Sequence, residues 1–177
     1  MKRPALKWLK AYTRSTFQHS GRKSLLLTGS KGCGKTTLLE ALLEEDPLPG
    51  LRSCVRRGED GLPVQVLLAR RSGGAPLVIG RRQEGTGMHP EQAALDGPGA
   101  QWLEELRRAP GIWAAVDEIG FLESASIPYQ RALWALFGEK RLLAVLRKAD
   151  TPLLEALRGR SDCLVLDLDD LPPPGEE

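Results

Sequence analysis

A glycine-rich turn set between two apolar segments of different period constrains this chain more than any other feature. Leu25, Leu26 and Leu27 form a short apolar run that reaches Gly29, as a buried central strand does. From Lys35 to Glu45, Leu38, Leu39, Ala41, Leu42 and Leu43 recur with helical spacing until Pro47 and Pro49 stop them. Strand, glycine turn and helix make the first unit of the β/α alternation that a parallel sheet requires.

The turn reads Gly29-Ser30-Lys31-Gly32-Cys33-Gly34-Lys35-Thr36 and satisfies G-x-x-x-x-G-K-[ST] in the context that motif needs. Glycines let the backbone wrap closely enough for its N–H groups to meet phosphate oxygens, and the helix N-terminus adds a favourable dipole. The expected nucleotide-binding positions are Gly29, Ser30, Lys31, Gly32, Cys33, Gly34, Lys35, Thr36 and Thr37. Lys35 reaches the β- and γ-phosphates as a point charge, and the Thr36 hydroxyl is a ligand for Mg²⁺. Cys33 is a permissive loop position.

Further along, Leu51 to Val55 and Leu62 to Leu68 alternate on either side of a Gly58–Gly61 turn, and Leu77 to Ile79 follows Gly73 and Gly74, predicting two hairpins inserted after the first helix. Residues 83–99, rich in Gly, Pro and polar side chains, read as a long surface loop. A helix is expected around Trp102 to Leu106, a buried strand over Ile112 to Val116 and a helix from Ser126 to Gly138. A strand over Arg141 to Leu146, a helix started by Thr151 and Pro152, and a last strand over Cys163 to Leu168 complete the alternation.

The strand over 112–116 runs into Asp117 and Glu118. Asp117 is placed to hold the magnesium hydration shell. Glu118, whose side chain points elsewhere, is the candidate general base that orients the attacking water. Gly120 supplies a turn, and Glu123 either contacts nucleotide or starts the next helical turn. Arg147 and Lys148 follow a predicted parallel strand at the edge where ligands bind, and Arg147 is the candidate catalytic cation beside Lys35 and Glu118.

Formal charge is only +2, so no polyanionic partner is demanded; the arginines at 52, 56, 57, 70, 71, 81 and 82 read as solvated strand faces rather than a nucleic-acid patch. Three cysteines without CxxC spacing, with His19 and His89 standing alone, suggest neither a disulfide framework nor a zinc site, and a cytoplasmic location is expected. No membrane-spanning stretch is present. The basic segment over residues 3–17, with Leu6, Trp8, Leu9 and Tyr12, is expected to be a helix docked on its own domain. The chain thus divides into an N-terminal helical arm (1–21), a nucleotide-binding domain (22–170) and an acidic, Pro-rich tail (171–177). A protein partner, if engaged, would meet the arm or residues 83–99.

Three segments resemble the small P-loop nucleoside-triphosphatases of the cancer-related and thermophilic type: Gly29 to Leu38 matches their GxxGxGKTTL cradle, Val116 to Glu123 their VDEIG-x-x-E segment, and Leu51 to Leu68 the hairpin between them. Phe121 stands where that family usually carries a basic residue, and residues 83–99 depart from its pattern. The resemblance implies an α/β, RecA-like P-loop NTPase fold of three layers, with a mostly parallel central sheet of nine or so strands extended by antiparallel β-hairpins. It also implies Mg²⁺-dependent, slow hydrolysis of ATP, GTP and other triphosphates. Two other readings share the cradle: a nucleoside or nucleotide kinase, for which only Arg158-Gly159-Arg160 suggests a lid, and a nucleotide-gated switch that binds a partner.

Overall fold

The computed structural model describes residues 6–172. In chain order its elements are α1 (Leu6–Ser20), β1 (Ser24–Thr28), α2 (Lys35–Leu43), β2 (Gly50–Arg57), β3 (Pro63–Arg70), β4 (Leu77–Gln83), β5 (Gly87–Pro90), α3 (Gln92–Ala94), α4 (Ala100–Arg108), β6 (Trp113–Ile119), α5 (Ile127–Glu139), β7 (Arg141–Leu146), α6 (Pro152–Arg158) and β8 (Cys163–Asp167). The strands form one sheet in the order β5-β4-β3-β2-β6-β7-β1-β8. Strands β2, β6, β7, β1 and β8 are mutually parallel, and β3, β4 and β5 extend the sheet antiparallel. Eight strands stand among the described residues, where the resemblance implied nine or so.

Alternation along the parallel strands decides the layers, because successive side chains leave opposite faces. Leu25, Leu27, Ala115, Leu143 and Val145 pack with Leu9 of α1 and with Leu38, Leu39, Leu42 and Leu43 of α2. Leu26, Ala114, Val116, Leu142, Ala144 and Leu146 face the other way, against Leu103 and Leu106 of α4, Leu133, Leu136 and Phe137 of α5, and Leu153, Leu154 and Leu157 of α6. The result is a three-layer α/β fold. Ser126 caps α5 by accepting the Tyr129 N–H, and Thr151 caps α6 by accepting that of Leu154, as the sequence predicts.

Three expectations change. Residues 83–99 are not a surface loop: they contain β5, α3 and a wide turn over Leu95–Gly99, with Leu95 fully buried. Leu62 lies in the turn, its N–H bonded to Asp60 Oδ1, and β3 begins at Pro63. Arg158 and Arg160 form no lid, since Arg158 binds the Ala149 carbonyl and Arg160 pairs with Asp162 over the rings of Trp134 and Phe137. Helix α1 is docked through Leu9 and Thr13, and Lys10 and Arg14 pair with Glu45 beyond α2. Residues 1–5 of the expected arm and 173–177 of the expected tail lie outside the described residues. No helix among the described residues is long and apolar enough to cross a membrane.

Candidate functional site

The glycine turn joins β1 to α2 at the C-terminal edge of the parallel strands, where open α/β sheets bind ligands. Gly29 leaves the strand at φ 140° and Gly34 enters the helix at φ 107°, a region that residues with a Cβ avoid. A Cβ on Gly29 would also stand 2.8 Å from Cys33 Sγ. Lys35 is 8% exposed and donates to the carbonyls of Gly29 at 2.8 Å and Ser30 at 2.9 Å, so its ammonium is folded back over its own loop.

Strand β7 lies between β1 and β6, which separates the cradle strand from the acidic strand by two strand spacings, about 10 Å. The first turn of α2 spans that gap. Thr36 Oγ1 donates to Asp117 Oδ1 at 3.2 Å. Burial pushes the Asp117 carboxyl up to about 6, against the lowering effect of the Thr36 bond and with a further raising effect from Glu118. The side chain of Glu118 is about one-third exposed, with Arg147 Nη1 3.8 Å from its Oε1. The Arg147 guanidinium also lies 5.3 Å from the centre of the Phe121 ring, in cation–π range. Lys148 is held instead by Asp167 at 2.8 Å and Asp169 at 3.1 Å, so of the two expected cations Arg147 is the one beside Glu118.

Glu123 is 3% exposed and accepts the Gly120 N–H at 2.9 Å. It therefore stands behind the acidic turn, within the short helical turn Leu122–Ala125. Burial raises its carboxyl to about 7. Lys35, Thr36, Glu118, Phe121, Arg147 and Lys148 border a cleft of about 800 Å³ that runs from the glycine turn to the β2–β3 hairpin, and the buried carboxyls of Asp117 and Glu123 are not part of its lining.

A divalent cation has a suitable pair of donors here. Thr36 Oγ1 and Asp117 Oδ1 are hard oxygens already in contact, which suits magnesium with its remaining positions filled by phosphate and water. Among the described residues no cluster of three or more His, Cys, Asp or Glu could hold a metal without such help.

With that geometry in place, the comparisons with known proteins are specific. No family model matches the chain. Nucleoside-triphosphatase THEP1 of Thermotoga maritima is 25% identical over 162 residues, which cover 82% of this chain and 86% of the relative. THEP1 of Thermotoga petrophila is 26% identical over the same share of this chain and 84% of its own. The crystal structure of THEP1 from the hyperthermophile Aquifex aeolicus superposes with a TM-score of 0.64 at 16% identity, covering 82% of this chain and 89% of that one. The chain is similar to the THEP1 nucleoside-triphosphatases over most of its length. Its fold is theirs, a P-loop NTPase fold.

Against that background two contacts stand out that sequence reading missed. Asp169, just past β8, accepts the backbone N–H of Ser30 at 2.7 Å and its hydroxyl at 2.8 Å. Ser53 of β2 donates to the Glu118 carbonyl at 3.3 Å. An acidic residue following the last core strand was the available signal for the first; nothing local marks the second. The arginines of the hairpin region have neighbours: Arg70 pairs with Glu105, Arg71 with Glu40, Arg81 with Glu91 and Arg82 with Asp60, while Arg56 meets Gln65 and Arg57 the Gly61 carbonyl.

Proposed function

We propose that this chain is a Mg²⁺-dependent nucleoside triphosphate phosphohydrolase, which cleaves ATP, GTP and related triphosphates to the diphosphate and phosphate with loose choice of base. The supporting observation is the contact of Thr36 with Asp117, which joins the cradle to the acidic strand end, with the Glu118 carboxylate and its neighbour Arg147 beside them. The catalytic unit is residues 22–170, with residues 1–21 as an arm.

In this reading the amides of the Gly29–Thr37 segment bind the phosphate chain and Lys35 exchanges its loop carbonyls for the β- and γ-oxygens. Thr36 and Asp117 would hold Mg²⁺, which would supply charge neutralisation to the phosphate chain. Glu118 accepts a hydrogen bond from the water in line with the γ-phosphorus and takes its proton. Arg147, 3.8 Å from Glu118, turns toward the γ-oxygens as charge accumulates there. Names and sequences of the relatives support hydrolysis as the activity. The three cysteines, Cys33, Cys54 and Cys163, are free, which supports a cytoplasmic location.

The test is phosphate release from ATP and GTP, with magnesium and with chelator, for the parent chain, Glu118→Gln and Lys35→Ala. Glu118→Gln is expected to bind ATP normally and to lose about 10²–10⁴-fold in kcat, the usual worth of a general base, and Lys35→Ala to lose nucleotide affinity as well. Turnover by Glu118→Gln within a few fold of the parent rejects the assignment of the base.

A further inference from the structure

The parallel sheet has a wall standing above its edge on one side of the cleft. Strand β2 last registers with β6 at Arg52 and Asp117. Val55 and Arg57 therefore rise about 10 and about 17 Å beyond that pair, at 3.3 Å per residue. Alternation puts Val55 and Arg57 on one face, and their partners across β3 are Val66 and Pro63. Met88 of β5 and Phe121 complete the surface, and all six border the same cleft as Lys35, Thr36 and Glu118. Gly80, paired with Val66, keeps the surface close to the acidic turn: a Cβ there would meet Leu122 Cδ1 at 2.7 Å.

The position of the wall decides what it faces. In the hydrolase reading, on which this inference rests, the triphosphate lies in the cradle with its γ end toward Glu118. The donor base is at the other end of the phosphate chain, away from the hairpin. In the sheet, β2 and β3 lie beyond β6, about 14 and about 19 Å from β1 at 4.8 Å per strand. Val55, Val66, Met88 and Phe121 thus border the space from which the γ-phosphorus is attacked. Water needs no apolar surface there, and Val55 is nevertheless 48% exposed on it. Among the described residues lining the cleft, Glu118 is the one carboxylate, against Lys31, Lys35, Arg57, Arg147 and Lys148. An apolar face with cations at its rim fits a planar heterocycle carrying ribose or ribose phosphate.

We propose that this wall is a second base-binding subsite, which seats an acceptor nucleoside or nucleoside monophosphate with one hydroxyl in the place of the attacking water. The acceptor hydroxyl gives its proton to Glu118, its oxygen bonds to the γ-phosphorus, and the bond from that phosphorus to the β,γ-bridging oxygen breaks, its electron pair leaving on the nucleoside diphosphate. The product is a phosphorylated acceptor; without acceptor, water attacks and phosphate is released. Arg57, at the outer rim, distinguishes the two acceptor classes, because only a monophosphate offers it an anion.

The experiment uses the full chain. ATP binding and phosphate release are measured first, without acceptor. The four ribonucleosides and their 5′-monophosphates are then titrated calorimetrically into protein saturated with magnesium and ADP, and each is incubated with γ-labelled ATP and the products separated. At least one acceptor is expected to bind the ADP-loaded protein and to take up label. Val55→Glu, on an exposed position, is expected to weaken that binding by about tenfold or more by placing a charge against the base, and Met88→Ala to weaken it less. Phosphate release from ATP alone is measured in both variants, and the ratio of label transferred to phosphate released is expected to fall in each. Arg57→Ala should weaken monophosphate binding and leave nucleoside binding unchanged. The proposal is overturned if ATP is hydrolysed but no acceptor binds, if an acceptor binds and takes no label, or if binding is undiminished in Val55→Glu and Met88→Ala. Absence of ATP binding in the first measurement would instead remove the hydrolase reading, and the subsite with it.

Discussion

Asp117 is 3% exposed and its carboxyl is raised to about 6 by burial. The charged form is the one that serves magnesium, so kcat/KM for MgATP, which reports groups of the free enzyme, is expected to fall as pH drops through about 6. A pH profile measured from 5 to 8 checks it; a flat profile there removes Asp117 from the metal site. Glu123 shows the same physics in a structural role. Its carboxyl is raised to about 7 in the folded chain from an ordinary value of 4.5, so between those limits the native state holds the extra proton. Stability from this group is therefore present below pH 4.5 and lost as pH rises toward 7. Glu123→Gln keeps an acceptor for Gly120 and should flatten that dependence, read as thermal midpoints at pH 5 and pH 7.5. The adjacent Asp117 and Glu118 were legible because two carboxylates ending an apolar strand are chemically conspicuous. Asp169 and Ser53 were not, because each acts on a partner far away in sequence.

At the scale of elements, the parallel strands and their helices were legible wherever an apolar run was long enough to show its period, as in β1, α2, β6 and α5. Residues 83–99 were not. Gly97, Pro98 and Gly99 are breakers by composition, yet they form the wide turn that leads into α4, and Gly99 sits against the Tyr129 ring, where a Cβ would be 3.3 Å from Cδ2. A single leucine anchors that turn in the core, and one apolar residue has no period to detect. Leu95→Ala should cost about 2–5 kcal/mol, as large-to-small core changes do, measured by denaturant unfolding; a change below 0.5 kcal/mol, the range of an ordinary surface substitution, would mean that the segment does not belong to the core.

Across the whole molecule, the strand that carries the phosphate turn is paired only with late parts of the chain. β1 hydrogen-bonds to β7, which begins at Arg141, and to β8, which begins at Cys163. Asp169 then fastens Ser30 from beyond β8. Long-range pairing of this kind delays ordering until both partners exist. During synthesis, which runs from the N-terminus, the strand that carries the motif therefore waits for β7 and β8 before both of its edges are paired. A chain released before Cys163 would keep β7 on one side of β1 and leave the other side, with the Ser30 contact to Asp169, without a partner.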